Sequence, residues 1–419
     1  MTKLSIIVTS YNIERYIGEC LDSVVGQTLD DIEIIVVDDG SSDGTQAIIS
    51  EYAARDPRIK TIFFENNTIG GVGSAANAGL DAATGDYVGF ADGDDICELT
   101  MFARLYEAAA ARDADLAMCK YLLLEDQTNA QSEPAENQRW QGIDADTFTR
   151  LNDENRAQYL RFIAVPWRKI YRRSLMEENA IRFPVGDYFF EDNPFHWFSL
   201  ICAESLVLVP EVLCYHRIAR AGQTMETADE RLFKIFIHHD TIRDWLVSTG
   251  HEAAYRQELL GWAVTQLEWI SRRTPQPLMR KLFDISAKLV ANYSAEDVEK
   301  MLKASGKGQR ARKLVTALRL HSFHDFKAEL SDGAAKQSLV RAGFYHLRHS
   351  GVRQTAAITY RFLQNATGFS KNGNGLSGPD EAVSNADLMF AMVVLQRKLE
   401  AIEARLDQAK PQTPSEPKP

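Results

Sequence analysis

The most constraining feature of this sequence is an apolar, strand-like run that ends in three carboxylates. The run covers residues 87–91 and is followed directly by Asp92, Asp94 and Asp95, which surround a single glycine. Carboxylates placed this close together repel one another, so folding alone gives no reason for them. A hard divalent cation, which prefers oxygen ligands, would relieve the repulsion. The alternative is a polar turn in which an aspartate caps the next helix.

Composition narrows the class of protein. A chain of 419 residues is long enough for two or three domains. Its net charge of -11 argues against a general nucleic-acid-binding protein. Its five scattered cysteines form no CxxC pair, which is typical of reduced thiols rather than of a disulfide framework. Since the chain shows no signal-peptide pattern and no bilayer-spanning apolar run, we expect a cytoplasmic protein, with any membrane contact peripheral at the inner face.

Strand-like and helix-like segments alternate through the first 120 residues. Strands are predicted over 4–8, 32–37, 59–64, 86–91 and 115–119, and helices over 14–25, up to about 54, 74–83 and 98–112. Near-continuous apolar strands that alternate with helices predict an α/β fold whose mostly parallel sheet is covered on both faces. In such sheets, ligands bind beyond the carboxyl ends of the strands.

Polar side chains follow the first, second and fourth predicted strands. These stretches are Thr9-Ser10-Tyr11-Asn12, Asp38-Asp39-Gly40-Ser41 and Asp92-Gly93-Asp94-Asp95. Because the ends of parallel strands meet at one edge, the pattern predicts a binding site there. Neither the dinucleotide pattern G-x-G-x-x-G after the first strand nor a P-loop is present. Carboxylates for a base or ribose, together with a metal for phosphates, favour a sugar nucleotide instead.

These motifs resemble those of family 2 glycosyltransferases, which have the GT-A fold. The resemblance rests on the segments 5–12, 36–45 and 92–95, in that order, and covers roughly the first half of the chain. It implies a transferase that uses a nucleotide sugar, usually a UDP-sugar, together with Mg or Mn.

The resemblance also implies roles for individual residues. Asp39 would accept a hydrogen bond from the uracil imide, and Asp38 would help to fix the nucleoside, unless it only caps the following helix. Asp94 would be the principal metal ligand, and Asp92 would lie near the ribose and the metal. The remaining predicted donor-binding residues of the first half are Thr9, Tyr11 and Asn77.

A second pair of carboxylates, Glu191 and Asp192, opens a predicted helix after an aromatic-rich segment. This resembles the Glu-Asp-x-x-Phe motif of the same family, which implies that Asp192 is the general base and that Glu191 belongs to the same catalytic pair. A sugar hydroxyl is a poor nucleophile at neutral pH, and a carboxylate within hydrogen-bond reach can take its proton. The alternative is that the pair only caps the helix.

The segment 215–224 resembles a Tyr-x-x-Arg pattern that precedes a polar loop in the family. His216, Arg217 or Arg220 would reach the diphosphate, either as an additional metal ligand, in the case of His216, or as a cationic clamp. The alternative for His216 is a structural role, which is the commoner one for a single histidine.

The second half of the chain is predicted to be helical. We expect a GT-A domain over 1–225, an accessory region over 226–370, a flexible linker over 371–379, a coiled-coil-like helix over 380–410 and a disordered tail over 411–419. The segment 303–361 holds twelve basic and three acidic residues. It suits either an anionic membrane surface or a solvated basic face, and the terminal helix suggests oligomerisation.

Together these patterns predict an inverting, metal-dependent glycosyltransferase. It would move one sugar from a nucleotide-sugar donor, with UDP as the favoured nucleotide, to a hydroxyl of a cell-surface glycan or a lipid-linked saccharide. Two alternatives remain open from the sequence. One is a nucleotidyltransferase, which should carry a glycine-rich basic signature after the first strand, and the other is a non-catalytic scaffold with a degenerate transferase domain.

Overall fold

A computed structural model describes residues 2–220, 229–304 and 308–330. The chain divides into two units, Met1–Lys327 and Ala328–Pro419, and the site described below lies in the first. The predicted linker, coiled-coil-like helix and tail, together with most of the basic segment 303–361, lie outside the described residues.

The described residues alternate between strands and helices in the first half and are mainly helical in the second. The strands are β1 Leu4–Ser10, β2 Ile32–Asp38, β3 Ile59–Phe63, β4 Tyr87–Asp92, β5 Ile96–Cys97, β6 Leu116–Glu125, β7 Gln131–Ser132, β8 Thr147–Arg150, β9 Lys169–Arg172 and β10 Ser205–Ile218. The helices are α1 Ile17–Val25, α2 Thr45–Arg55, α3 Gly71–Ala82, α4 Met101–Ala110, α5 Asp153–Leu160, α6 Arg173–Glu178, α7 Asp192–Cys202, α8 Ile235–Ser248, α9 Glu252–Ser271, α10 Met279–Val290, α11 Ala295–Ala304 and α12 Gln309–Arg319.

The strands form a mixed sheet with the order β3-β2-β1-β4-β9-β6-β10-β5. In addition, β7 pairs with β6, and β8 pairs with β10. Strands β3, β2, β1 and β4 are parallel, as are β6 and β10, whereas β9 runs antiparallel between the two groups. The predicted α/β class is therefore confirmed. The antiparallel strands, and the long strand β10, were not predicted.

The sheet is covered on both faces because its strands are apolar throughout. All seven residues of β1 and of β2 are buried. Along β1 the side chains alternate, so that Ile6 packs in one apolar core and Ile7 in the other. Helix α1 contributes to the first core, and α3 and α7 contribute to the second. The edge that carries the strand ends is left for polar groups.

A buried carboxylate ties the beginnings of these strands together. Glu33 on β2 accepts hydrogen bonds from Ser5 Oγ on β1 at 2.5 Å, from Lys60 Nζ on β3 at 2.6 Å and from the Thr84 backbone N–H at 2.6 Å. Burial alone would raise the pKa of Glu33, but these partners outweigh it and lower that pKa to about 2.

The second half contributes helices that pack against the sheet domain. Helix α9 contacts α8, α10 and α11 and also touches α5. Its Glu258 forms an ion pair with Arg161 at 2.8 Å, and its Tyr255 hydroxyl accepts a hydrogen bond from Arg156 at 3.0 Å. No helix within the described residues is long and apolar enough to cross a membrane. The division between a domain over 1–225 and an accessory region over 226–370 stays a prediction.

We predict that Glu33→Gln lowers the melting temperature by about 2–5 °C at pH 7, because the new amide group cannot accept from all of these donors. A carboxylate whose folded-state pKa is depressed stabilises the fold above its unfolded pKa, and that contribution is lost as the pH falls through the folded value. The difference from the wild type should therefore shrink between about pH 4.5 and pH 2 in thermal unfolding scans.

The matched control is Glu51→Gln, which removes an exposed ion pair with Arg55 and should leave the melting temperature nearly unchanged. Equal effects of the two substitutions at pH 7 would contradict the role of Glu33.

Candidate active site

The three predicted polar stretches meet at one edge of the sheet. In the strand register, Ser10 lies opposite Asp38, and Thr9 lies opposite Asp92. The carboxyl ends of β1, β2 and β4 are thus neighbours, as the sequence predicted. Gly93 lets the chain turn there, because a Cβ at this position would come within 2.8 Å of the Thr9 carbonyl oxygen.

Asp38 is buried, and each oxygen of its carboxylate accepts two hydrogen bonds from other groups of the protein. Its Oδ1 accepts from the Ser41 backbone N–H at 2.8 Å and from Gln46 Nε2 at 2.7 Å. Its Oδ2 accepts from Ser10 Oγ at 2.9 Å and from Ser41 Oγ at 2.6 Å. Asp38 therefore fixes the turn after β2, and any effect on a bound nucleoside would pass through that turn.

The Asp39 carboxylate contacts a different segment of the chain, residues 67–68. Its two oxygens accept from Asn67 Nδ2 at 2.8 Å and from the Thr68 backbone N–H at 3.1 Å. Burial raises its pKa, and the neighbouring Asp38 adds to that shift. Gly40, with φ of 73°, permits the close approach of the chain at Asn66.

Thr9 and Tyr11, the two residues at the end of β1 that were predicted to contact the donor, differ in exposure. Thr9 is buried, and its carbonyl accepts from the Gly93 N–H at 2.9 Å, which joins the ends of β1 and β4. Tyr11 is 45% exposed, so its ring is an open surface beside the strand ends. Such an open ring can stack against a planar ligand.

The acidic end of β4 is a place of strong repulsion. The pKa of Asp92 is raised well above its usual range, first by burial and then by Asp95 and Asp94. Burial also raises the pKa of Asp95. The charge of Asp192 adds to the shift at Asp92, so the two predicted acidic centres lie within electrostatic reach of each other.

Strand β10 supplies cationic partners to this acidic edge. His216 Nδ1 lies 2.9 Å from an Asp95 oxygen, and the Arg217 backbone N–H donates to the same carboxylate at 2.8 Å. Burial alone would lower the pKa of His216, but Asp95, Asp92 and Asp94 outweigh it and raise that pKa to about 9. Its ring stacks on Trp167, with centroids 5.1 Å apart.

The two predicted arginines take different positions. Arg217 is buried, and its guanidinium donates to the Asp94 carbonyl at 3.0 Å, to Asp126 at 3.2 Å and to Glu19 at 2.6 Å. Arg220 Nε forms an ion pair with the Asp94 carboxylate. In this structure Arg217 therefore braces the site, whereas Arg220 faces the carboxylate that was predicted to bind metal.

Asn77 was predicted to bind the donor, and the structure places its amide elsewhere. Its Nδ2 donates to the Phe183 carbonyl at 2.8 Å, and its Oδ1 accepts from the Phe183 N–H at 2.9 Å. Both ends of the amide thus clamp the segment that leads to Glu191 and Asp192. We assign Asn77 a positioning role.

Glu191 and Asp192 begin helix α7. Glu191, at the N-cap position, makes no capping hydrogen bond with its side chain, which argues against the alternative that this residue caps the helix. Burial, followed by the charge of Asp192, raises the pKa of Glu191 to about 7. Burial also raises the pKa of Asp192, against the opposing effects of Lys169 and Asn193.

Three residues of the site have contacts that the sequence did not predict. Lys169 on β9 is buried, and its Nζ donates to the Val165 carbonyl at 2.8 Å. Asn193 Nδ2 donates to Asp192 at 2.9 Å. Asp95, just beyond the end of β4, contacts His216, and that contact was not predicted. Local patterns carry no signal for such partners, since Lys169 Nζ also lies 3.1 Å from His196 Nδ1 on α7, and Asp95 contacts His216 on β10.

The acidic edge fits a divalent ion only in part. Within residues 2–220, 229–304 and 308–330, no three side chains of His, Cys, Asp or Glu converge as a ready-made metal cage. Mg²⁺ commonly uses only one or two protein carboxylates, with water and substrate phosphates as its other ligands. Asp92 and Asp94 suit that arrangement. The Asp95 contact at Nδ1 leaves Nε2 of His216 as the ring nitrogen that would bind a metal.

Comparisons with known proteins give the same family as the motifs. Residues 5–179 match the sequence model described as Glycosyl transferase family 2. An uncharacterized glycosyltransferase of Bacillus subtilis (strain 168), EpsJ, is 38% identical over 218 residues, which are 51% of this chain and 60% of EpsJ. EpsH, a putative glycosyltransferase of the same strain, is 30% identical over 265 residues, which are 61% of this chain and 72% of EpsH.

A solved structure shows the same fold. The crystal structure of S. aureus TarS 1-349 in complex with UDP-GlcNAc superposes with a TM-score of 0.52 and 20% sequence identity, covering 80% of this chain and 92% of that one. Because the chain spans only 60% of the length of EpsJ, the activity of the whole protein is a matter for proposal.

We predict that Asp95→Asn lowers the pKa of His216 from about 9, because burial persists while the nearest negative charge and its hydrogen bond are lost. Titration of the imidazole proton signals by NMR measures this directly. Asp126→Asn is the control, since Asp126 binds Arg217 on the same strand rather than His216. An unchanged His216 pKa in Asp95→Asn would contradict the described pairing.

Proposed function

We propose that this chain, which belongs to glycosyl transferase family 2, transfers a single sugar from a nucleotide-sugar donor to a hydroxyl group of an acceptor. Membership in this family supports a glycosyltransferase over a nucleotidyltransferase. The presence of Asp39, Asp94 and Asp192 argues against a degenerate, non-catalytic domain. The proposal depends on the register that brings the polar ends of β1, β2 and β4 to one edge of the sheet. The charge of Asp192, at the start of α7, adds to the raised pKa of Asp92 at that edge.

The donor would bind at the ends of β1 and β2. Asp39, held by Asn67 and Thr68, would accept from the imide N–H of a uracil, and the exposed ring of Tyr11 would cover the base. Asp38 and Thr9 would support this pocket by fixing the turns on either side of it. UDP is the favoured nucleotide because the TarS fold, which this chain shares, is known with UDP-GlcNAc bound.

The diphosphate would lie against the end of β4. Asp94 and Asp92 would hold Mg or Mn there, with His216 Nε2 as a third ligand. Since the pKa of His216 is about 9 without a metal, His216 would have to lose a proton when the ion binds. When bound, such an ion neutralises charge that develops on the departing diphosphate. Arg220 is paired with Asp94 in this structure, and a bound diphosphate would offer its guanidinium an alternative anionic partner.

Asp192 would act as the general base. The acceptor oxygen forms a bond to the anomeric carbon while the bond from that carbon to the diphosphate oxygen breaks, and the hydroxyl proton passes to Asp192. Attack on the face opposite the leaving group inverts the anomeric configuration. Burial raises the pKa of Asp192, and Lys169 and Asn193 oppose that shift. Glu191, with a pKa of about 7, would stand beside it as a partly protonated neighbour.

The acceptor class and the cellular place are proposed at a coarser level. A sugar hydroxyl of a cell-surface glycan or of a lipid-linked saccharide fits a single-transfer enzyme of this family. We place its action in the cytoplasm or at the inner face of the membrane. The basic segment and the terminal helix, the proposed elements for membrane contact and oligomerisation, lie mainly outside the described residues.

We predict that Asp192→Asn reduces sugar transfer by about 10²–10⁴-fold, because the amide cannot take the proton. Donor affinity should change by less than about twofold, since the substitution preserves shape and leaves the strand ends intact. Glu191→Gln is the matched comparison and should lose much less activity. The measurements are transfer rates over a panel of nucleotide sugars and calorimetric donor binding. Loss of donor binding in Asp192→Asn would remove this residue from the base role.

We predict that Asp94→Asn abolishes metal-dependent donor binding, and that chelation of the wild-type protein has the same effect. The exposed Asp146→Asn, which removes a partner of Arg104 at the surface, is the control and should bind like the wild type. Calorimetric titration with a UDP-sugar, with and without Mn²⁺, checks both. Donor binding that is equal with metal and with chelator would contradict the metal site.

A further inference from the structure

We propose that helix α9 of the helical region positions the general base, through Trp262 and Trp269. The inference rests on the proposed function, because it takes Asp192 as the base. It makes the helices that follow the sheet domain a part of the catalytic arrangement, although none of them carries a residue of the motifs.

The first contact is a directed chain of hydrogen bonds. Trp262 Nε1 donates to Asn193 Oδ1 at 3.1 Å, and Asn193 Nδ2 donates to Asp192 Oδ1 at 2.9 Å. An indole N–H can only donate, and an ionised carboxylate can only accept. The amide between them therefore has one favourable orientation, with its oxygen towards the helix and its nitrogen towards the base.

In the second contact, the ring of Trp269 packs on Phe190, the first residue of the turn 190–193. Trp269 meets Phe190 edge to face, with centroids 5.8 Å apart and planes at 89°. Phe190 has φ of 72°, a left-handed conformation that bulky residues rarely adopt. Its carbonyl accepts from Asn193 Nδ2 at 3.1 Å and from the Asn193 backbone N–H at 3.0 Å. Such strained conformations persist only where the surroundings fix them.

The two tryptophans act from one face of one helix. They are seven residues apart, which is close to two turns, so both project to the same side of α9. The helix itself is anchored by the Arg161–Glu258 ion pair and by Tyr255, whose hydroxyl donates to Asp153 at 2.6 Å. The turn 190–193 is thus held between α9 and the sheet domain, which fixes the direction of the Asp192 carboxylate.

Several charged or titratable groups face Asp192 and must be counted in any pH dependence. Lys169 and Tyr171 approach it from β9, Asp92 from β4, and Glu191 from its own turn. Lys169 and the Asn193 amide favour the ionised base, whereas burial opposes it. A poorly oriented Asn193 would therefore raise the pKa of Asp192, and transfer would require a higher pH.

The test compares Trp262→Phe with Trp245→Phe in the full-length protein. Trp262→Phe keeps an aromatic ring but removes the N–H, whereas Trp245 on α8 packs on Phe198 and does not belong to the hydrogen-bond chain. For Trp262→Phe we expect kcat to fall about three- to tenfold and the acid limb of the pH–rate profile to move about 0.5–1 pH unit higher, with an unchanged donor KM. Trp245→Phe should move neither.

A double mutant makes the inference specific. If Trp262 acts through Asn193, then Trp262→Phe should cause no further loss of kcat in an Asn193→Ala background. Fully additive losses, or an acid limb that does not move in Trp262→Phe, would overturn the proposal.

A readout without turnover separates this inference from the proposed function. In protein labelled with ¹³C at the aspartate carboxyl carbons, the Asp192 signal is identified by its absence in Asp192→Asn, and its pKa should rise in Trp262→Phe but not in Trp245→Phe. An equal Asp192 pKa in the wild type, in Trp262→Phe and in Trp245→Phe would overturn the positioning role. Full transfer by Asp192→Asn would instead overturn the assignment of the base, whatever the titration shows.

Discussion

Repulsion among the carboxylates at the end of β4 is the constraint on which the rest of the site depends. Asp92, Asp94 and Asp95 are crowded where the chain leaves the sheet, and burial, followed by the charges of Asp95 and Asp94, raises the pKa of Asp92 well above its usual range. The protein offsets this by bringing β10 alongside, with His216 against Asp95 and Arg220 against Asp94. The proposed binding of a metal and a diphosphate at this edge would change the same set of charge interactions.

The parallel half of the sheet could be predicted from the sequence because its strands are continuous apolar runs with polar ends. The observed ends at Ser10, Asp38 and Asp92 lie one or two residues beyond the predicted strand ends. Strand β10 could not be predicted in the same way, since its partner β6 lies about 90 residues earlier and long-range pairing leaves little local pattern. The pairing of His216 with Asp95 was missed for a similar reason, because it depends on the contact between β10 and the distant strand β5, in which Tyr215 lies opposite Ile96.

Residue roles were harder to predict than positions. Asn77 and Arg217 lie beside the site, yet their side chains bind the Phe183 backbone and internal acids. A motif identifies where a polar side chain lies, but not which group forms a hydrogen bond with it. Trp262 shows the converse case. Its helical spacing is that of a core residue, and only the structure reveals that its N–H is directed at Asn193.

Direct, single displacement assisted by Asp192 determines the stereochemistry of the product. The measurement is the anomeric configuration of the transferred sugar, determined by proton NMR on product formed from a UDP-α-linked donor that the enzyme accepts. We expect a β-linked product, since one displacement inverts the anomeric centre. An α-linked product would contradict single displacement, because retention requires a different arrangement of groups around the anomeric carbon.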